Sequence, residues 1–556
     1  MTDVITALAI IFITAGVLLI VANHFSLSPV PFFILAGLLS GTVIEEGQLL
    51  ELAQWGIAFL VFVFGTQVDF GELQSVLRDS EAVAVAQLIV VAPVAFVVAT
   101  LFGFDTLNAV YFAAAATLSS TIVGSRLLKG EIRSNLVYGR LASSIHFFDD
   151  LVAIGLILIL SAEVFTAEVI TSKIGYGVLF LVAGLLVYRH GFPLLVRLTE
   201  GFEELILMGS ISILIVFLAA AELAGVSIVV GAFAAGIGIR RDGSEALGVI
   251  NGLNSIRDFF VAIFFVTVGA LVSIPSFEVF VVTLMLVALV LIVNPFVTMV
   301  AFTYEGYDAR TAFLTTTNLN QVSELSLVIA IQALLLGTIS PVMFDAIILA
   351  AAVTMLMTTF TRRYEDEIYR LLFEDFVSGQ QTRKIDERSQ VKDDLTDHVI
   401  VVGYGRQGRH VVEVCEENER DYVVIENDPV LWDDMRAECR NYVFGDAMSD
   451  YPWEKADLKN AQLIVSTVDH QPASEYILEF ESDADVILRS QSSWKASEWL
   501  ERGAIYVSVP NILASDQLLE NVDRVLEDDA KEELREEHLD RLVTLERMGF
   551  GSRMGD

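Results

Sequence analysis

Residues 141–154 read Leu-Ala-Ser-Ser-Ile-His-Phe-Phe-Asp149-Asp150-Leu-Val-Ala-Ile, two adjacent carboxylates inside an apolar run that continues to 161. Such a run is long enough to cross a hydrocarbon core of about 30 Å as a helix. A charge at mid-depth costs at least about 2.5–3.5 kcal/mol, which makes Asp149 and Asp150 functional candidates, able to exchange a proton for a cation. Consecutive residues point about 100° apart around a helix, so one carboxylate faces a binding cavity more fully than the other. His146, one turn earlier, can join a proton relay, though a lone His on an apolar face more often packs. Glu324 and Asp345 are further carboxylates within apolar runs.

Working outward, similar stretches recur at 4–24, 27–44, 51–68, 82–103, 108–128, 174–192, 203–223, 226–240, 256–273, 278–300, 310–336 and 339–360, about thirteen spans in all. The first has no small-residue cleavage site behind it and reads as a retained helix. With the C-terminus inside, the inward loops hold Arg78, Arg126, Lys129, Arg133, Arg140, Arg189, Arg197, Arg240, Arg241, Arg257, Arg310, Arg362 and Arg363. The outward loops hold only Lys173. This bias predicts a multi-pass plasma-membrane protein with its N-terminus outside and its C-terminal region cytoplasmic.

Composition agrees and adds a puzzle. Of 556 residues 54% are hydrophobic and 19% charged, with mean hydropathy +0.60, which excludes a single water-soluble globule. Yet the formal net charge is -36. Residues 1–361 carry about 26 acidic and about 12 basic side chains, the remainder about 45 and about 23, so acid concentrates where the apolar runs stop. Nucleic acid is excluded as a partner, because phosphates need local positive charge. Two Cys, Cys415 and Cys439, make neither a disulfide framework nor a metal cluster.

Two spans are interrupted by polar residues. The fifth contains Thr117, Ser119, Ser120, Thr121 and Gly124, and the twelfth contains Thr315 to Asn318, Asn320, Gln321, Ser323 and Glu324. Breaks in corresponding positions of two halves predict inverted repeats with discontinuous helices that cross near the midplane. Ser and Thr bonded back to their own helix carbonyls would produce a similar string without a break.

These residues carry a resemblance. The strings are Gly56-Ile-Ala-Phe-Leu-Val-Phe-Val-Phe-Gly-Thr-Gln-Val-Asp69, Leu118-Ser-Ser-Thr-Ile-Val123, Asp149-Asp150, Val229-Val-Gly-Ala-Phe-Ala-Ala-Gly236, Phe264-Phe-Val-Thr-Val-Gly269 and Asn320-Gln-Val-Ser-Glu-Leu-Ser326. In this order the chain resembles the second monovalent cation:proton antiporter family, particularly its Kef-type branch. The resemblance implies alternating access, in which an elevator-like core with crossed broken helices moves against a dimerising scaffold while cation and proton compete for the carboxylates. The expected ion- and proton-binding set is Asp149, Asp150, Thr121, Ser120, Glu324 and Asn294, of which the resemblance implies the Asp pair. Asp150 matches the acid common to the family, and Asp149 a position that is acidic in one branch and Gln or Asn in others. Many relatives have a Lys or Arg in the eleventh span before a Pro or apolar residue; this chain has Asn294 before Pro295. That departure removes a buried base, and electrogenic and electroneutral stoichiometries both stay open.

Residues 362–397 read as a helical connector and linker, with Ile368, Leu371, Leu372 and Phe376 at helical spacing. Next comes His398-Val-Ile-Val-Val-Gly403-Tyr404-Gly405-Arg406-Gln407-Gly408-Arg-His-Val-Val, a strand, a G-x-G-x-x-G turn and a helix. The glycines permit a tight turn and close approach to a pyrophosphate, which the helix N-terminus favours. Glu426, followed by Asn427, ends the next strand, where an acid can bond ribose hydroxyls, and Asp446 and Ala447 follow the third strand near the adenine edge. Further strands at 442–444, 462–467, 485–489 and 505–509 predict a doubly wound α/β Rossmann-like domain over 398–515, with an acidic helical tail over 516–556. This domain resembles the TrkA-N type that regulates potassium conductance, and implies NAD(H), AMP or ATP as ligand. No constellation of a catalytic His, Lys or Tyr follows, so a regulated transporter is expected and not a dehydrogenase. The alternatives are a nucleotide-gated cation channel and a membrane-tethered sensor without transport. Only 8 of the 35 basic residues are Lys, and an acidic coat poor in Lys suggests a salt-rich cytoplasm.

Overall fold

The structure, a computed structural model, describes residues 4–25, 27–41, 46–68, 82–133, 136–160, 166–240, 246–273, 275–374, 385–392, 395–527 and 531–547. Asp69, Arg78, Arg241 and Phe376 lie outside them, as does the side chain of Arg133.

The apolar runs become helices α1 (Val4–His24), α2 (Pro29–Ser40), α3 (Glu46–Thr66), α4 (Ala82–Leu101), α5 (Thr106–Thr117), α6 (Thr121–Leu127), α7 (Val137–Leu160) and α8 (Ala167–Leu198). They continue as α9 (Glu203–Leu223), α10 (Ile228–Ile237), α11 (Ala246–Ala270), α12 (Phe277–Glu305), α13 (Ala309–Thr317), α14 (Glu324–Leu335) and α15 (Pro341–Arg363). With α5/α6 and α13/α14 taken as interrupted crossings, the described residues supply a crossing for each expected span. Two are shorter than their apolar runs: α2 has 12 residues and α10 has 10, about 15–18 Å of helix.

Glycines on the short helices explain how they hold. A Cβ on Gly37 of α2 would sit 2.0 Å from the Val266 carbonyl oxygen of α11, and one on Gly236 of α10 would sit 2.1 Å from that of Phe62 in α3. The backbones touch, and small residues let membrane helices approach so closely. Three other spans are interrupted by π turns, at Gln87–Val91 of α4, Val187–Gly191 of α8 and Leu289–Val293 of α12. Each lies two residues before a proline, Pro93, Pro193 or Pro295. A proline lacks the N–H and its ring clashes with the carbonyl one turn back, and a wider turn relieves both.

Residues 1–379 and 380–556 form two units. In the second, six parallel strands β1 (His398–Val402), β2 (Tyr422–Glu426), β3 (Tyr442–Phe444), β4 (Ala461–Ser466), β5 (Asp485–Arg489) and β6 (Tyr506–Ser508) lie in the order 3-2-1-4-5-6. Ile400, Val402, Val423 and Ile425 pack on one face of the sheet, Val399, Val401 and Val424 on the other. Both faces are covered, which is why the strands read as continuous apolar runs.

The boundaries differ from those expected. Helix α15 runs on to Arg363 and α16 (Glu365–Tyr369) belongs with the membrane unit. The expected linker contains residues of the sheet domain: Gln390 pairs with Tyr442 through main-chain bonds of 2.9 and 2.7 Å and covers the β3 edge. At the far end, helix Pro510–Glu527 spans the expected boundary at 515.

Candidate functional site

Helices α5 and α13 stop at Thr117 and Thr317, and α6 and α14 begin at Thr121 and Glu324. Between them the chain leaves the helices and crosses: Ser119 pairs with Val322 in an isolated antiparallel bridge, and the Ser323 amide donates to the Leu118 carbonyl at 3.0 Å. Gln321 donates to the Ser120 carbonyl at 3.2 Å, and the Thr354 hydroxyl accepts from the Val322 amide at 3.1 Å. The unwound backbone is thus paired within the protein, as membrane depth requires. Back-bonding also occurs, but beside the breaks: Thr117 donates to the Ala113 carbonyl and Thr315 to that of Thr311, both at 2.8 Å.

The carboxylates of α7 meet this crossing differently. Asp149 accepts from the amide of Ser119 at 2.9 Å and from its hydroxyl at 2.5 Å, both on Oδ2. Because that hydroxyl donates to the carboxylate, it accepts at 2.9 Å from Nδ1 of His146, completing a chain Asp149–Ser119–His146. A Cβ on Gly124 would lie 2.0 Å from His146 Nε2, so this glycine makes room for the imidazole. Asp150 accepts from the Thr121 hydroxyl at 2.7 Å, while Glu324 accepts from the Ile122 amide at 3.0 Å. Successive residues in the first turn of α6 therefore hold the two acids, and Ser120 caps that turn through the Val123 amide at 3.3 Å. Asp149 and Asp150 are each 3% exposed and Glu324 is 0% exposed. Asp150 Oδ1 and Glu324 Oε2 are buried without a hydrogen-bond partner.

Asn294 is buried directly after the π turn of α12, and its Oδ1 accepts no hydrogen bond. The structure shows no bond from it to the Asp pair; Thr298, one turn on, is joined to Thr316 of α13 at 3.2 Å. Asp345 accepts from the Ser273 amide at 3.4 Å in the first turns of α15, away from the crossing. A residue missed in the sequence is Gln87: the π turn of α4 buries its amide, which donates to the Thr117 carbonyl and so caps α5. Its signal is a single amide in an otherwise apolar span.

At the end of α15, the connector touches both broken crossings. Arg362 pairs with Glu365 and with Glu131, just beyond α6. Arg310, in the first turn of α13, bonds Asp366 at 2.7 Å, and Phe313 meets Tyr369 with ring centroids 5.7 Å apart.

The second site lies where β1 and β2 end. Gly403 has φ +89°, a conformation that suits glycine, and a Cβ on Gly408 would lie 1.9 Å from the Gly403 carbonyl oxygen. A Cβ on Gly405 would meet nothing within 4 Å. That open side, at the N-terminus of α17 (Arg406–Glu417), fits a phosphate held by backbone amides of Gly405 to Gln407. Glu426 Oε2 accepts from the Tyr404 amide at 2.7 Å, and Oε1 from the amides of Asn427 at 2.8 Å and Asp428 at 3.0 Å. It braces the glycine turn. Burial, then the Asp428 charge, push its carboxyl above the usual range. The Tyr404 ring is buried and its hydroxyl donates to Glu438 at 2.7 Å, with Arg409 stacked at 4.7 Å. Asp446 caps the Met448 amide at 3.0 Å, and the Ala447 carbonyl accepts from Trp453 at 2.7 Å.

Comparison with known proteins gives the family of each unit. Residues 8–363 match the family described as sodium/hydrogen exchanger, transmembrane, and residues 399–510 match the TrkA-N domain. The putative cation/proton antiporter YbaL of Escherichia coli is 24% identical over 90% of this chain and 94% of its own length. The putative K(+) efflux antiporter KefB of Alkalimonas amylolytica is 25% identical over 86% and 74%. The sodium proton antiporter MjNhaP1 of Methanocaldococcus jannaschii shares the fold, with TM-score 0.52 at 13% identity over 65% of this chain and 96% of that one. The chain belongs to the sodium/hydrogen exchanger family of transmembrane proteins, as a Kef-type cation:proton antiporter whose membrane domain is followed by a TrkA-N domain.

Proposed function

We propose that the protein exchanges a monovalent cation, potassium first and sodium second, for protons, under the control of a nucleotide bound by its cytoplasmic domain. One observation supports the exchange above others: Asp150 Oδ1 and Glu324 Oε2 are buried, unpartnered, and held by neighbouring residues of one helical turn. A buried carboxylate oxygen without a donor is costly until a proton or a cation takes up its lone pairs. The two ions then compete for one place. Asp149, bonded twice through Oδ2 to Ser119, serves as the neighbour that links the site to His146. Thr121 and Ser120 position the acids, and Asn294 supplies an uncharged oxygen on α12.

Potassium is favoured because a relative over most of the chain is named for its efflux. The phosphate cradle at Gly405 supports NAD(H), AMP or ATP as ligand. The connector contacts with Glu131 and Arg310 offer a route by which a change beyond α16 biases the broken helices. An exposed apolar ladder on Pro510–Glu527, formed by Leu518, Val522 and Leu526, supports a homodimer.

The test uses the full chain in sealed liposomes, with potassium or sodium pulses read by an internal pH dye. An imposed proton gradient is expected to drive uphill cation movement, which neither a channel nor a silent sensor can do, and Asp150→Asn is expected to reduce exchange at least tenfold. Full exchange by Asp150→Asn would overturn the carboxylate mechanism.

A further inference from the structure

The π turn of α8 carries two basic residues that the exchange mechanism does not use. Arg189 and His190 lie within Val187–Gly191, both exposed, and with Leu185, Tyr188 and Arg240 they line a cavity of about 590 Å³. Arg240 follows the inner end of α10, where a Cβ on Gly238 would lie 2.8 Å from Val187. This close crossing brings the Arg240 guanidinium over the Tyr188 ring, 5.3 Å from its centroid. Three cationic or protonatable groups therefore surround one cavity in a chain of net charge -36. From the cavity, Leu185, Val182 and Val178 continue outward along α8, each exposed and spaced three or four residues apart, as one apolar ladder.

We propose that this cavity holds the phosphate headgroup of an anionic membrane lipid, with an acyl chain lying on the Val178–Leu185 ladder. Charge complementarity selects the headgroup: anionic lipids collect on the cytoplasmic leaflet, and Arg189 and Arg240 are among the inward basic residues. The ladder selects a lipid over a soluble phosphate, which would leave that apolar face uncovered. The π turn is part of the site, because Tyr188, Arg189 and His190 are successive residues of it and all three line the cavity. The proposal is independent of the ion that is transported.

Native mass spectrometry of the full chain in mild detergent, with phosphatidylglycerol and phosphatidylcholine of matched acyl chains in equal amount, tests it. The expected result is at least tenfold preference for phosphatidylglycerol, lost in Arg189→Gln/Arg240→Gln and kept in Arg126→Gln, which removes an inward charge elsewhere. Leu185→Trp, which fills the cavity without altering charge, should lose the preference too and guards against misfolding of the double variant. Equal retention of both lipids by the parent chain would overturn the proposal, as would preference that survives in the double variant. Complete displacement of phosphatidylglycerol by millimolar inorganic phosphate would also overturn it, by showing a soluble anion site.

Discussion

At the scale of single residues, the two adjacent acids differ in their surroundings: both hydrogen bonds from Ser119 to Asp149 fall on Oδ2, while Asp150 Oδ1 is buried without a partner. The pair itself was legible from its depth in an apolar run, but which member stays open was not, since that depends on where the α5/α6 break crosses α7. The glycine turn shows the same limit. Its pattern predicts a phosphate cradle, yet only coordinates separate a glycine that faces ligand from one that packs. Gly405→Val is expected to leave the thermal midpoint unchanged and weaken nucleotide binding at least tenfold by calorimetry. Gly408→Ala is expected to destabilise the domain by about 1–3 kcal/mol, because its methyl group would overlap the Gly403 carbonyl. Glu426 offers a pH test. Its carboxyl is held above the usual range, so its contribution to stability is fully present below the unfolded value of about 4.3 and is lost as pH rises through the folded value. Trp432, Trp453, Trp494 and Trp499, four of the 5 tryptophans, lie in the cytoplasmic unit and report its unfolding. The fluorescence midpoint should fall with pH across that interval, and fall less in Glu426→Gln; identical slopes would remove Glu426 as the source.

At the scale of elements, hydropathy located the crossings and the α/β alternation located the strands, because each follows from a periodicity carried by many residues. The connector was harder. Residues 385–392 look like a polar linker, but Gln390 borrows its partners from β3, and no local signal announces a pairing with Tyr442, 52 residues away. Likewise, nothing near Asp366 shows that it pairs with Arg310. That pair lies between connector and broken helix, not in the ion site, and gives a specific expectation. In the liposome assay Asp366→Asn, which alters the half-exposed member of the pair, should retain nucleotide-free exchange to within about twofold, while the response to added nucleotide shrinks. A nucleotide response equal to that of the parent would show that the signal takes another path.

At the scale of the whole molecule, the acid surplus sorts into a few buried carboxylates with defined partners and a large solvated remainder. Such a coat repels itself, and salt relieves it: the Debye length falls to about 3 Å at 1 M. The thermal midpoint is expected to rise by several degrees between about 0.1 and 2 M potassium chloride, and a flat response would argue against adaptation to a salty cytosol. The crossing of the two interrupted spans has a consequence on this scale as well. Leu118 and Ser323 share a main-chain hydrogen bond where the two crossings are unwound, and Ser119 pairs with Val322 beside it, so the two breaks are tied to one another. On the proposed exchange mechanism, Asp150 and Glu324 are therefore expected to travel as one load and to reach either side of the membrane together.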